Sequence, residues 1–457
     1  MIPLRKRVSS LVIYLIILYA AIQVFSHSDW KREQGVIGND IISYYAYLPA
    51  TFIFHDIRLE KRETFEKGTF WPETIPNGGK VIKTTMGLSV LYAPFFFVTH
   101  YSLKLLGFEA YGFSNAYQLC LLITALFYFF IGLIFLKKIL RQYFDEWITG
   151  VSILMVAIGT NLLYYATREA AMSHIFNFFL FNWFIWLTIK WHESKKFSKL
   201  LFIGFLAGFI TLVRPSNIII LIFFFLYGVY NFETLREKIH FVFSHFHWFI
   251  FMGIAFFIVW IPQFLYWKYT TGSFLFYSYT SERFFFNHPH FIDGLFSYRK
   301  GWLVYTPIMI LALIGIPFLF IKLREFSCAI TVFTILNLYI VFSWWCWWYG
   351  GSYGMRALID FYGMLAIPSA VLFNEAKKWK KLVFVTLIGI AFLCTVQNLF
   401  NIRKYETGAI HWDSMTKEAY WFNFWHKYPQ SGYWELLQRP DYDKARQGID
   451  AVLPPEK

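Results

Sequence analysis

Twelve apolar stretches of near-membrane length dominate this sequence, close to residues 8–25, 87–106, 114–136, 147–165, 174–191, 200–213, 216–230, 247–266, 301–321, 326–343, 356–373 and 381–400. A helix that crosses the hydrocarbon core of a bilayer needs about 20 apolar residues. A chain with this many has few options: it crosses repeatedly as helices, because backbone polar groups in lipid must be satisfied within the segment. Composition agrees, with 57% hydrophobic, 23% aromatic and 15% charged residues, including 55 Phe and 19 Trp. Soluble domains carry about 25% charged residues. Disorder, a fibrous protein and a secreted disulfide scaffold are excluded, and the fold class is an all-α polytopic membrane protein.

The balance of 42 Lys+Arg over 28 Asp+Glu gives a net charge of +14. No basic stripe with interleaved aromatics lies on a soluble domain, so nucleic acid is not the expected partner. Positive charge instead gathers in loops on the cytoplasmic side of a membrane. The runs Lys137/Lys138/Arg141, Lys190/Lys195/Lys196/Lys199, Arg236/Lys238, Lys322/Arg324 and Lys377/Lys378/Lys380/Lys381 set the topology. If residues 87–106 cross, every run faces outward. If that segment, which contains Pro94, His100 and Lys104, lies in the interface or re-enters, all stay inside with Arg5, Lys6 and Arg7. Eleven spans therefore satisfy the charge rule, with a cytoplasmic N-terminus. The stretch from Val8 to Phe25 lacks a small-residue cleavage site before Ser26 and His27 and reads as an anchored first span rather than a removed signal peptide.

This layout predicts a membrane domain over residues 1–400, with outer loops at 26–113 (carrying interfacial helices) and 267–300. It leaves an outer tail at 401–457, aromatic and ending in Pro454 and Pro455. There is no repeat of the kind that builds paired transporter halves, and Gly204-x-x-x-Gly208 reads as a helix-packing contact. Cys120, Cys328, Cys346 and Cys394 match neither a disulfide framework nor a metal spacing.

Polar residues at the outer ends are the candidate site. Asp40, in Gly38-Asn39-Asp40-Ile41-Ile42-Ser43-Tyr44-Tyr45, precedes an amphipathic aromatic segment. A partly desolvated carboxylate there can serve as a general base, or it can cap the helix that follows. Asp56 and Glu60 read as solvated. Lys83, Arg168, Arg214 and Arg356 are cations where positive charge is disfavoured. They suit an anionic ligand such as phosphate or snorkel to headgroups. The run Trp344-Trp345-Cys346-Trp347-Trp348-Tyr349-Gly350-Gly351 is either an interfacial belt or a stacking platform for a sugar. His288, His290 and Asp293 share a loop but have weak metal-ligand spacing, and Arg299 with Lys300 flank a span. No phosphate loop, His-Glu-x-x-His or Gly-x-Ser-x-Gly occurs.

Taken in order, Asp40 before Tyr44-Tyr45-Ala46-Tyr47-Leu48-Pro49, the turn Met172-Ser173-His174, Arg214-Pro215, and Trp347-Trp348-Tyr349-Gly350-Gly351-Ser352-Tyr353-Gly354-Met355-Arg356 resemble a known family. The set is similar to the integral-membrane glycosyltransferases of the GT-C fold, in particular the family 39-like relatives of protein O-mannosyltransferases and lipid A aminoarabinose transferases. The resemblance implies a GT-C-like bundle of about eleven spans in the cytoplasmic membrane of a bacterium, with an extracytoplasmic active site. It implies transfer of a sugar, with inversion, from a polyprenyl-phosphate donor to a cell-envelope glycan, lipid or protein. On that analogy Asp40 is the base. Arg214 and Arg356, with Arg168, His174 and Lys83, hold the donor phosphate, and Tyr44, Tyr45, Trp347, Trp348 and Tyr353 contact sugar and lipid. No cofactor or metal is called for. Known members often pair two neighbouring acids, whereas Asn39 precedes Asp40 here, which keeps Asp56 in reserve. The alternative is a transporter or flippase of lipid-linked sugars, which would need a polar path through the spans.

Overall fold

The structure is a computed structural model that describes residues 7–61, 70, 72–75 and 78–453. Arg5, Lys6, Pro454 and Pro455 lie outside the described residues. The described residues are mostly helical, joined by irregular loops, with one two-stranded ribbon, Glu73–Thr74 with Lys80–Val81. Among the described residues, six helices are long and apolar enough to cross a membrane: Val8–Lys31, Asn115–Leu140, Phe246–Thr271, Arg324–Phe342, Arg356–Ala376 and Lys381–Glu406. Shorter apolar helices, including Glu146–Ile158, Phe197–Val213 and Met309–Lys322, complete the bundle.

The five basic runs share one end of the bundle. At that end Ser9 N–H donates to Glu146 (2.9 Å), Arg141 pairs with Glu146 (2.9 Å), Lys377 with Asp145 (2.7 Å) and Lys322 with Glu375 (3.1 Å). Lys190 meets Gln142 there, and Lys238 meets His192. At the other end Arg168 joins Gln23, His27 and Glu406, Val36 N–H donates to Gln118 (2.8 Å), and Lys404 donates to the Phe424 carbonyl of the tail (3.1 Å). Members of all five basic runs are thus gathered at one end.

The Gly87–Leu105 helix lies in the half of the bundle away from that basic end. Its start abuts Leu212 and Val213, at the end of the Phe197–Val213 helix opposite Lys196 and Lys199. A Cβ on Gly87 would sit 2.4 Å from the backbone there, so glycine permits this close approach. Its last turns place His100 against the Tyr117 hydroxyl (2.7 Å), next to Gln118 and Val36. The Phe197–Val213 helix packs as tightly on Phe246–Thr271: a Cβ at Gly204 or Gly208 would meet the Met252 or Phe256 carbonyl at 2.2 and 2.3 Å.

Four of the expected spans are not continuous α-helices. The stretch 147–165 breaks after Ile158 and resumes at Leu162. The freed carbonyls of Ile158 and Thr160 accept from Asn398 (2.7 and 2.8 Å), and Asn161 bridges the Tyr353 carbonyl and the Tyr362 hydroxyl. Buried backbone groups must be paired, and these side chains take over where the helix stops. The stretch 301–321 breaks at Thr306-Pro307, where proline offers no N–H. The stretches at 216–230 and 356–373 begin as 3₁₀ turns, Pro215–Ile219 and Arg356–Phe361. Beyond 400, the last long helix continues to Glu406 before the tail begins.

Candidate active site

The two 3₁₀ turns matter because they sit beside one cavity of about 490 Å³, on the half of the bundle away from the basic runs. Asp40, Tyr44, Lys83, His174, Arg214 and Arg356 all line it. Six candidates spread over more than three hundred residues of sequence are therefore brought together. Asp40 occupies the first turn of the Asn39–Tyr45 helix, but Gly38 is the N-cap and no side chain caps it. The capping reading of Asp40 is thus corrected. Its side chain is 55% exposed to the cavity, and Oδ2 accepts a bond from Arg356 at 3.0 Å. Arg356 is delivered by a sharp turn at Gly354 (φ +61°), where a Cβ would sit 3.1 Å from the Tyr305 side chain.

Arg214 sits in extended backbone immediately before Pro215, which starts the next helical turn. Its guanidinium donates to the Ala357 carbonyl (3.4 Å), lies 3.5 Å from Asp360 and stacks over Tyr349 (5.6 Å). Burial pushes the Tyr349 phenol up to about 12, against the pull of Arg214, so the ring stays neutral. Asp360 is the hub behind this wall. His174 bonds Oδ1 (3.0 Å), while Asn177 (3.0 Å), Asn217 (2.8 Å) and Arg214 converge on Oδ2. The carboxylate is buried, which is tolerable only because every side of it is paired. Sequence reasoning missed it. The available signal was a lone acid in the apolar run Ala357-Leu358-Ile359-Asp360-Phe361-Tyr362, since ionisable residues inside spans mark functional sites by default.

A second overlooked acid is Glu169, bonded by the Tyr164 hydroxyl (3.3 Å). Burial raises its carboxyl above the usual range, opposed by the field of Arg356. Lys83 enters the cavity wall paired with Glu282 (2.6 Å) and near Glu73 (3.7 Å), so its charge is balanced on site. Trp344, Trp345 and Tyr349 supply the aromatic lining from the run singled out in the sequence, joined by Trp260, Trp267 and Tyr279.

Several expected site residues lie elsewhere. Arg168 is bound by Glu406, Gln23 and His27 and ties the first span to the last, outside the cavity. Asp56 is buried rather than solvated, and its carboxylate accepts from the backbone N–H groups of Glu60 (3.0 Å) and Lys61 (2.8 Å). It holds a turn and is not among the residues that line the cavity. Tyr45 points into the core, donating to the Gly112 carbonyl (2.5 Å). Trp347 and Trp348 are buried, the latter under Arg299 (5.3 Å), and Tyr353 bonds Asn398 (3.0 Å). Trp344, Trp345 and Tyr349 face the cavity while Trp347 and Trp348, between them in sequence, are turned away from it into the core. Of the loop histidines, His290 approaches Asp293 (3.4 Å), and Asp450 of the tail completes a trio within 4.8 Å; His288 takes no part in it.

No protein-family model matches this chain, and neither does any curated protein. Among solved structures, it is similar to the Archaeoglobus fulgidus oligosaccharyltransferase complex with Zn and sulfate, at 13% identity and a TM-score of 0.49 over 92% of this chain and 57% of that one. It is also similar to the oligosaccharyltransferase AglB of the same organism, in complex with an inhibitory peptide and a dolichol-phosphate, at 10% identity and a TM-score of 0.47 over 97% and 59%. The chain spans less than two thirds of the length of either.

Proposed function

We propose that this protein is an integral-membrane glycosyltransferase of the GT-C type, taking a sugar from a polyprenyl-phosphate donor at the extracytoplasmic face of a bacterial cytoplasmic membrane. The reading is carried by one observation: an accessible carboxylate, Asp40, and two arginines, Arg214 and Arg356, share a single aromatic-walled cavity. The gathering of the basic runs at the opposite end supports an outward-facing site and eleven spans, by the rule that cytoplasmic loops collect Lys and Arg.

In this scheme the acceptor hydroxyl attacks the anomeric carbon while Asp40 takes its proton. The bond from that carbon to the phosphate oxygen breaks on the opposite face, which inverts the configuration. The departing polyprenyl phosphate gains charge as the bond breaks, and fixed cations aimed at it are worth several kcal/mol of barrier. Arg214 is suited to this because its contact to Asp360 is long and Asp360 is already satisfied by three other donors. Arg356 holds Asp40 in the cavity through a 3.0 Å bond to its carboxylate. The acceptor is a glycan, lipid or protein of the cell envelope.

The test is mass spectrometry of lipids that co-purify with the wild type and with Arg214→Ala and Arg356→Ala. A polyprenyl phosphate, free or glycosylated, in the wild type and depleted in both variants is the expected result. Bulk phospholipid alone in all three samples overturns the reading.

A further inference from the structure

Outside the cavity, the segment between the Ile220–Leu226 and Phe246–Thr271 helices forms a thirteen-residue helix, Phe232–Ser244, that the hydropathy of the sequence does not mark. It opens with a full capping box: Asn231 accepts from Thr234 N–H (2.8 Å), and the Thr234 hydroxyl accepts from Asn231 N–H (3.2 Å). None of its residues is fully buried, yet its side chains sort cleanly into three faces at about 100° per residue.

One face meets the protein. Lys238 contacts His192, Phe241 packs edge-on against Trp191 (5.8 Å) beneath Lys195 (4.1 Å), and His245, just beyond the helix, stacks on Phe241 (4.4 Å). The second face carries Glu233, Glu237, His240 and Ser244, spaced four, three and four residues apart. The third is a stripe of Phe232, Ile239 and Phe243, continued by Phe246; these are 82%, 46%, 73% and 60% exposed. Arg236 lies at the border between stripe and polar face, where a long cationic side chain can cover apolar surface and keep its charge in water.

We propose that Phe232–Ser244 is an interfacial helix that lies in the headgroup region of the leaflet at the basic end, its Phe232/Ile239/Phe243 stripe inserted among acyl chains. The occupant of the stripe is the bilayer because the stripe is continuous with a surface of the same kind. Phe246 begins the Phe246–Thr271 helix, whose flank exposes Ile250, Ile254, Phe257, Ile258, Ile261 and Leu265. That helix is long and apolar enough to cross a membrane, and only 11% of its apolar window is buried in the protein. The location also fits, since the contact of Lys238 with His192 puts the helix beside the Lys190–Lys199 run. A separated polar face, an apolar face and a cationic border are what an in-plane amphipathic helix requires. The helix thereby sets how deep this end of the bundle sits.

Single spin labels on the full-length protein test this in vesicles of phosphatidylcholine and phosphatidylglycerol, after replacement of the half-buried Cys328 and Cys394 by Ser. Labels replace Phe232, Ile239, Phe243, Glu237 and His240, all exposed positions whose labelling leaves the core intact. Collision rates are read for oxygen, which concentrates in lipid, and for a neutral nickel chelate, which stays in water. Oxygen is expected to dominate at 232, 239 and 243 and nickel at 237 and 240, so the ratio inverts twice per helical turn. Nickel dominance at 243 as well as 240 overturns the proposal, because the stripe then faces water. Shielding of 239 and 243 from both reagents also overturns it and assigns the stripe to a protein contact.

Discussion

Asp360→Ala should destabilise the protein by far more than Asp360→Asn, although both remove the same charge. In the wild type Oδ2 accepts from Asn177 and Asn217, which are both buried, while Arg214 keeps a second acceptor in the Ala357 carbonyl and opens on the cavity. Alanine leaves the two asparagine donors with no acceptor, at about 1–3 kcal/mol each. His174 loses its partner as well, which brings the expected cost to about 4 kcal/mol. Asparagine can keep its carbonyl toward Asn177 and Asn217 and turn its amide to His174 Nδ1, which accepts in the other tautomer. Only the charge assistance on the bonds is then lost, about 1–2 kcal/mol. The assay is thermal unfolding in detergent, followed by a fluorogenic thiol reagent that reaches the buried Cys120 on unfolding, in a background where the half-buried Cys328 and Cys394 and the cavity-lining Cys346 are replaced by Ser. By the scaling for large domains, the alanine variant should melt about 5 °C below the wild type, with the asparagine variant between. Equal midpoints for the wild type and the alanine variant would falsify the claim that this carboxylate holds the wall. An asparagine variant less stable than alanine would refute the orientation argument.

Four further outcomes follow from the same geometry. Asp40→Asn should lower transfer from a polyprenyl-phosphate sugar by about 10²–10⁴-fold with an unchanged melting temperature, because the side chain is largely exposed; undiminished turnover removes Asp40 as the base. Burial lowers the Lys300 ammonium to about 7, below its ordinary value of about 10.4. Between those values the unfolded chain binds the extra proton, so stability should rise with pH across that window; Lys300→Met should remove that share of the slope, and an unaltered slope contradicts the assignment. Gly87→Ala forces a Cβ into the Leu212–Val213 backbone and should cost about 1–3 kcal/mol, read as a lower unfolding midpoint together with weaker donor retention. In intact cells, Lys137→Cys and Lys378→Cys should escape an impermeant thiol reagent although Lys378 is 60% exposed; labelling of either reverses the proposed orientation.

The sequence by itself determined the class of molecule and its polarity. Apolar stretches of membrane length admit only helices, and the placement of Lys and Arg separates two ends, because both effects depend on composition along the chain rather than on contacts. It also yielded Asp40, Arg214 and Arg356 of the cavity lining, since an Arg or Asp at the end of an apolar run is costly wherever it packs. Tertiary structure alone decided which of these residues meet. Arg168 and Arg214 look alike as sequence, yet Glu406 captures one for a structural tie while the other is held at the cavity by a carboxylate 146 residues away. The Trp-rich run was legible as aromatic but not as two-sided: whether Trp344 or Trp347 faces the cavity depends on an irregular turn with Tyr349 and Gly350 at positive φ, which has no hydropathy signature. Asp360 was hidden for a related reason. A buried charge is stable only when distant donors surround it, and His174, Asn177, Asn217 and Arg214 become its neighbours only when the helices pack.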